Sequence, residues 1–188
     1  MICCVLLASG FGRRFGSNKL LYEVERKPLY RHPLDMLRQI SQYKIDGHEI
    51  RIIVVSQYME IEEYAGQIGV QVVHNPDAAE GIAASVRYGV QAAIHAEWIA
   101  FFTADQPYLR VETVFQFLHA AIHSGKPMAS VISAGKPGNP TVFHYSLAKQ
   151  LLQLTGDTGG RRIMKRQPEQ VFWFEIPEEQ RWDMDSPL

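Results

Sequence analysis

The alternation of short apolar runs with longer segments of helical spacing is what most restricts the fold of this chain. The runs 2–8 (ICCVLLA), 49–56 (EIRIIVVS), 70–75 (VQVVHN) and 98–105 (WIAFFTAD) are short and almost continuously apolar, as strands covered on both faces are. Between them lie helical patterns. Leu34, Leu37 and Ile40 share one face of 28–43, where Pro28 and Pro33 limit the start. The segment 58–69 stops at Gly69, 81–96 is rich in alanine, and 111–125 again ends on glycine. Further on, 128–133 and 139–143 read as strands, 146–154 and 159–166 as helical pieces, and 171–176 as a late strand. Strands separated by helices pair mostly in parallel through right-handed crossovers. The predicted architecture is α/β: a single doubly wound, mostly parallel sheet in one domain over residues 1–188.

Bulk properties exclude some partners. A net charge of -1 over 188 residues gives no general attraction to nucleic acid or to a membrane surface. Any affinity for anions must come from a local cluster. Cys3 and Cys4 are neighbours on a predicted strand, so they point to opposite faces and are poor disulfide partners; a reduced, cytoplasmic setting is expected. The first ten residues lack the basic start of a signal peptide, and their apolar run is too short to span a bilayer.

In doubly wound sheets ligands sit beyond the carboxyl ends of the strands. After the first strand comes a loop with Gly10, Gly12 and Gly16, followed and interleaved by Arg13, Arg14 and Lys19. Glycines let backbone N–H groups converge on an anion, and guanidinium forks fit phosphate oxygens. Counting excludes two phosphate motifs. Five residues rather than four separate Gly10 from Gly16, and Phe15 stands where a dinucleotide fingerprint needs a small residue. After the third strand, Asn75-Pro76 makes a turn, Gly81 opens a helix, and Ser85 lies one turn in; alone, this reads equally as an ordinary helix start. Asp105 directly follows the fourth strand. A carboxylate beside phosphates suits Mg²⁺, a hard ion that keeps few protein ligands. Near the C-terminus, Gly156, Asp157 and Gly159 precede a basic segment, in which Arg161 shares a face with Lys165 and Arg162 with Arg166. Such a cluster, taken alone, is a solvated face. His119 and His123 stand four apart as a zinc pair would, but Ala120 replaces the glutamate of H-E-x-x-H, and a structural or surface role is expected.

In this order and spacing the segments resemble the MobA-like nucleotidyltransferases, and most closely their molybdenum cofactor cytidylyltransferase branch. The glycine loop matches L-A-(A/G)-G-x-(S/G)-x-R-x-G-x-x-K, and 103–107 is similar to x-A-D-Q-P. Residues 75–85, 138–143, 156–161 and 183–187 look like the branch's N-P-x-x-x-x-G-x-x-x-S, G-H-P-x-x-F, G-D-x-G-A-R and D-x-D-T-P elements. The resemblance implies a Rossmann-like nucleotidyltransferase fold and Mg²⁺-dependent transfer of CMP from CTP to a molybdopterin-type phosphate, with a molybdoenzyme as recipient of the product. It assigns Leu7, Ala8, Ser9, Gly10, Gly12, Arg14, Lys19, Asn75, Gly81 and Ser85 to the nucleotide. Arg14, Lys19 and Asp105 are then catalytic, and Asp105 and Asp185 hold the metal. Asn139, Asp157, Gly159 and Arg161 are assigned to the second substrate. Ser9 departs from the alanine or glycine of the loop, Arg26 from the glycine of G-K-P-L, and Asn139 from the histidine of its motif; relatives also continue past the position of Leu188 into a helix. Rival readings are transfer of another nucleotide, such as a guanylyl group, or transfer to another phosphate acceptor. A third is a non-catalytic molybdenum cofactor carrier.

Overall fold

The strand against which the rest is laid is β1 (Ile2–Ala8). The structure, a computed structural model, describes residues 1–10 and 18–184. The small hairpin β2 (Glu23–Val24) and β3 (Lys27–Pro28) leads into α1 (Arg31–Ile40). A second hairpin joins β4 (Lys44–Ile45) to β5 (His48–Ser56), which runs parallel to β1 from Ile2↔Ile50 to Ala8↔Ser56. After α2 (Met59–Gln67), β6 (Gln71–His74) extends the sheet beyond β5. The chain then reverses through α3 (Ile82–Ala92), and β7 (Trp98–Thr103) pairs in parallel with the free side of β1. That reversal makes the ends of β1 and β7 the switch point where a doubly wound sheet opens a crevice.

Past α4 (Val111–His123) come β8 (Met128–Ser133), β9 (Lys136–His144), α5 (Ala148–Leu152), α6 (Arg161–Arg166), β10 (Val171–Glu175) and α7 (Glu178–Arg181). The order across the sheet is β10-β8-β9-β7-β1-β5, with β6 and β4 both on β5. Besides the short β4, antiparallel to β5 in its hairpin, β9 departs from the parallel rule: it runs antiparallel to both β7 and β8. The physical reason is its connection. Only Ala134 and Gly135, both at positive φ, join β8 to β9, whereas a parallel return needs a long crossover.

The faces of β1 divide the core in two. Ile2, Cys4, Leu6 and Ala8 pack with Leu34, Leu37, Ile61, Phe117 and Leu118, under α1, α2 and α4. Cys3 and Val5 pack with Ala83, Val86, Val90, Leu151 and Ile163, under α3, α5 and α6. The alternation of a strand thus sends the adjacent cysteines into separate cores, and both are free thiols. Each fully buried aliphatic or aromatic side chain contributes about 1.5–3 kcal/mol. On the second face α3 lies close to β1: a Cβ at Gly89 would stand 2.6 Å from Val5 Cγ1. No helix among the described residues is long and apolar enough to cross a membrane.

Candidate active site

Beyond the carboxyl ends of β1 and β7 lies a cleft lined by Leu7, Ser9, Gly10, Lys19, Gly81, Ser85 and Asp105, among others. A second cleft adjoins it, walled by β9 and the start of α6, and lined by Asn139, Asp157, Gly159 and Arg161. Leu7, Ile82, Thr103 and Asp157 line both, so the two spaces adjoin along a shared wall. Residues 11–17 and 185–188 lie outside the described residues, and with them Gly12, Arg14 and Asp185.

Asp105 is the electrostatic centre of the first cleft. Its Oδ2 accepts from Lys19 Nζ at 2.7 Å, and the same ammonium donates to the Met184 carbonyl at 3.1 Å. The Met184 N–H returns a bond to the Asp105 carbonyl at 3.1 Å. The glycine loop's lysine, the end of β7 and the C-terminal segment are thereby tied at one point. Asp105 Oδ1 is buried with no hydrogen-bond partner among the described residues. An orphaned, buried carboxylate oxygen costs desolvation energy that a cation would recover. Its hard oxygen chemistry fits Mg²⁺ or a similar divalent ion.

The sequence-predicted nucleotide residues take different stations. Leu7, Ser9, Gly10, Lys19, Gly81 and Ser85 face the cleft. Ala8 is fully buried and offers its carbonyl to Ser56 Oγ at 3.1 Å. Asn75 is also fully buried: its amide donates to Ser85 Oγ at 2.9 Å and its Oδ1 accepts the Asp77 N–H at 3.1 Å. Asn75 therefore shapes the turn and orients Ser85, rather than lining the cleft itself. The Ser9 hydroxyl turns into the sheet and donates to the Val55 carbonyl at 3.2 Å.

Gly81 forms the seam between the clefts. Its φ of 100° suits glycine, and a Cβ there would lie 2.6 Å from both Asp157 Oδ1 and the Gly156 carbonyl carbon. The Gly156 carbonyl accepts the Ala83 N–H at 3.1 Å, satisfying one of the free donors at the start of α3. The 156–157 loop is thus latched onto α3, which sets Asp157 between the two spaces. Arg161, Arg162 and Lys165 give the second cleft its positive charge. Desolvation lowers the Arg161 pKa, the Asp183 carboxylate opposes this, and the Arg181 guanidinium adds to it. The group stays cationic at neutral pH.

Three residues to which the sequence reading gives no role of their own hold this site together. Gln106 is nearly buried; its Nε2 reaches the carbonyls of Asn139 at 3.4 Å and Arg181 at 3.3 Å, while its Oε1 accepts from Thr103 at 3.1 Å. Gln57 donates to the Ser9 carbonyl at 2.7 Å, and the Tyr58 hydroxyl to the Gly10 carbonyl at 3.0 Å. Gln57 and Tyr58 directly follow β5, so the rule that directs attention to strand ends would have found them.

The chain matches the family described as MobA-like NTP transferase domain over residues 4–171. It is 26% identical over 166 residues to the molybdenum cofactor cytidylyltransferase of Escherichia coli (strain K12), covering 87% of this chain and 80% of that protein. Its fold superposes on a nucleotidyl transferase from Methanothermobacter thermautotroptrophicus with a TM-score of 0.80 and 20% identity, over 98% of this chain and 92% of that one. Rv0371c from Mycobacterium tuberculosis H37Rv gives a TM-score of 0.80 at 21% identity, over 98% and 92% of the two chains. A manganese complex of the same protein gives 0.74 at 20% identity, over 93% and 88%. A mostly parallel sheet that opens at the end of β1, together with a family match covering most of its length, makes this chain a member of the MobA-like NTP transferases and a nucleotidyltransferase.

Proposed function

We propose that this nucleotidyltransferase moves a cytidylyl group from CTP to the phosphate of a molybdopterin-type cofactor, as a single domain over residues 1–188 acting in the cytoplasm. The observation that carries the reading is the adjacency of the two clefts, which share Leu7, Thr103 and Asp157 in their walls. A triphosphate in the first and a phosphate acceptor in the second meet there. An oxygen of the acceptor phosphate bonds to the α-phosphorus of CTP as the bond to the pyrophosphate oxygen breaks, and the electron pair leaves with pyrophosphate. That acceptor oxygen is already anionic near neutral pH, so no general base is needed. The protein's task is positioning and charge neutralisation.

Arg14 and Lys19 would bind the triphosphate and offset charge on the departing pyrophosphate. Leu7, Ser9, Gly10, Gly12, Gly81 and Ser85 would surround the nucleoside, with Ala8 and Asn75 supporting that wall. Asp105 would hold Mg²⁺, helped by Asp185, the residue that follows Met184 in the chain; the unpartnered Asp105 Oδ1 favours this role. When bound, the ion polarises the α-phosphate. Asn139, Asp157, Gly159 and Arg161 would orient the acceptor, with the guanidinium on its phosphate. Because the Ser9 hydroxyl is engaged by Val55, the substitution adds no free donor for reading the base, and CTP remains the favoured nucleotide. A molybdoenzyme would receive the product.

The test is pyrophosphate release by the purified chain with Mg²⁺, each of CTP, GTP, ATP and UTP, and molybdopterin. CTP-dependent release is expected, abolished in Asp105→Ala. Preference for GTP would assign a guanylyltransferase, and full activity in Asp105→Ala would remove the metal role. Tight pterin binding without turnover would leave a carrier.

A further inference from the structure

The fold brings a third ligand to the histidine pair. His119 and His123 lie on successive turns of α4, their ring centroids 4.4 Å apart. Facing them is Asp46, from the hairpin that joins β4 to β5. Its Oδ2 lies 2.9 Å from His123 Nε2 and 3.7 Å from His119 Nε2. Nothing in the nucleotidyltransferase reading uses these residues. They sit at the start of β5, the pole of the sheet opposite Asp105.

We propose that Asp46, His119 and His123 form a binding site for a borderline divalent transition ion of the zinc class, which clamps α4 to the β4–β5 hairpin. One ion pair would account for a single imidazole at a carboxylate; here two imidazole nitrogens converge on the same oxygen. Around a tetrahedral zinc ion, with bonds of about 2.0–2.1 Å, neighbouring ligand atoms stand roughly 3.3 Å apart. The observed separations of 2.9 and 3.7 Å bracket that value, and one ligand atom from each residue falls within 4.8 Å of the others. Two imidazoles and one carboxylate suit Zn²⁺, Ni²⁺ or Cu²⁺ better than Mg²⁺.

The supports are preset. His123 Nδ1 lies 2.8 Å from the His119 carbonyl, which can only accept, so Nδ1 carries the proton and Nε2 is the ligand atom. Asp46 and Gly47 have φ of 47° and 79°, and the pairs Ile45↔His48 and Lys44↔Glu49 flank them. This is the two-residue hairpin that favours Asp-Gly and Asn-Gly. Ile45 is buried in the core, and Tyr43 packs edge-on against Phe115 of α4 at 6.2 Å, so hairpin and helix are already docked. All three ligands are open to solvent, leaving room for water to complete the coordination.

The experiment titrates ZnCl₂ alone into the metal-free full chain by calorimetry, and follows the visible bands of Co²⁺ as a spectroscopic probe. Wild type is compared with Asp46→Asn, His119→Ala and His123→Ala. Asp46→Asn keeps the turn, because Asn-Gly is equally suited to it. Expected results are one Zn²⁺ equivalent weakened at least about tenfold in each variant, Co²⁺ bands lost in His123→Ala, and Zn²⁺ raising the Tm of wild type only. Asp105→Asn should retain this equivalent, and the histidine variants should keep Mg²⁺-dependent turnover. Equal zinc affinity and stoichiometry in wild type and the His119→Ala/His123→Ala double variant would overturn the proposal. So would an equivalent that disappears with Asp105→Asn instead.

Discussion

Asp105 and Asp46 stand at opposite poles of the same sheet, and their surroundings differ in kind. Asp105 follows β7 where the parallel strands end; its side chain is 19% exposed, it is gripped by an ammonium, and one oxygen has no partner among the described residues. Asp46 precedes β5 where the strand begins; it is 47% exposed and faced by two imidazoles. The same functional group is thus prepared for two chemistries. At the enclosed pole, hard oxygen and nearby cations suit phosphate and Mg²⁺. At the open pole, nitrogen ligands suit a borderline ion whose role is to hold two elements together.

Substitution at each pole tests this difference. The largest effect is expected from Asp105→Asn, which keeps the shape but removes the charge: pyrophosphate release should fall by about 10²–10³-fold or more. A loss below threefold would make the two carboxylates equivalent. Gly81→Ala should come next. Its methyl group would have to displace the Gly156 backbone at a positive φ, costing about 1–3 kcal/mol in urea unfolding and unlatching Asp157. Arg161→Ala should raise the KM for the phosphate acceptor roughly tenfold, about 1.4 kcal/mol, and leave the KM for CTP unchanged. A shift in the CTP value instead would merge the two clefts into one nucleotide site. The smallest effect belongs to Asp46→Asn in metal-free buffer. As one partner of an exposed ion pair it should change stability by less than about 1 kcal/mol and leave turnover alone.

Much of this arrangement was legible in the sequence, and for a common reason. Continuous apolar runs demand burial on both faces, so β1, β5 and β7 and the residues after them could be placed by pattern. Asp105, Lys19 and Asp157, which line the clefts, stand out in the sequence because each follows an element end or a glycine-rich opening. What escaped was decided by short connections. The prolines at 137 and 140 hid the N-terminal part of β9, so the two-residue link that makes it antiparallel was not seen as a hairpin. Asp46-Gly47 carries the strongest short hairpin signal in the chain, yet β4 is only two residues long and gave no periodicity of its own. Without that hairpin, His119 and His123 lacked their third partner. Asn75 illustrates a different limit. An asparagine at a strand end can face a ligand or bury itself in its own turn, and only the packing around Ser85 decides.

The opposed side chains of β1 carry one further consequence. Burial pushes the pKa of both cysteine thiols up, so neither reacts readily while its core is closed. Cys4 lies beneath α1, α2 and α4, and Cys3 beneath α3, α5 and α6. Thiol labelling followed residue by residue therefore times the opening of each helical layer separately. Two adjacent positions become independent reporters of whether the halves of the molecule loosen together or in turn.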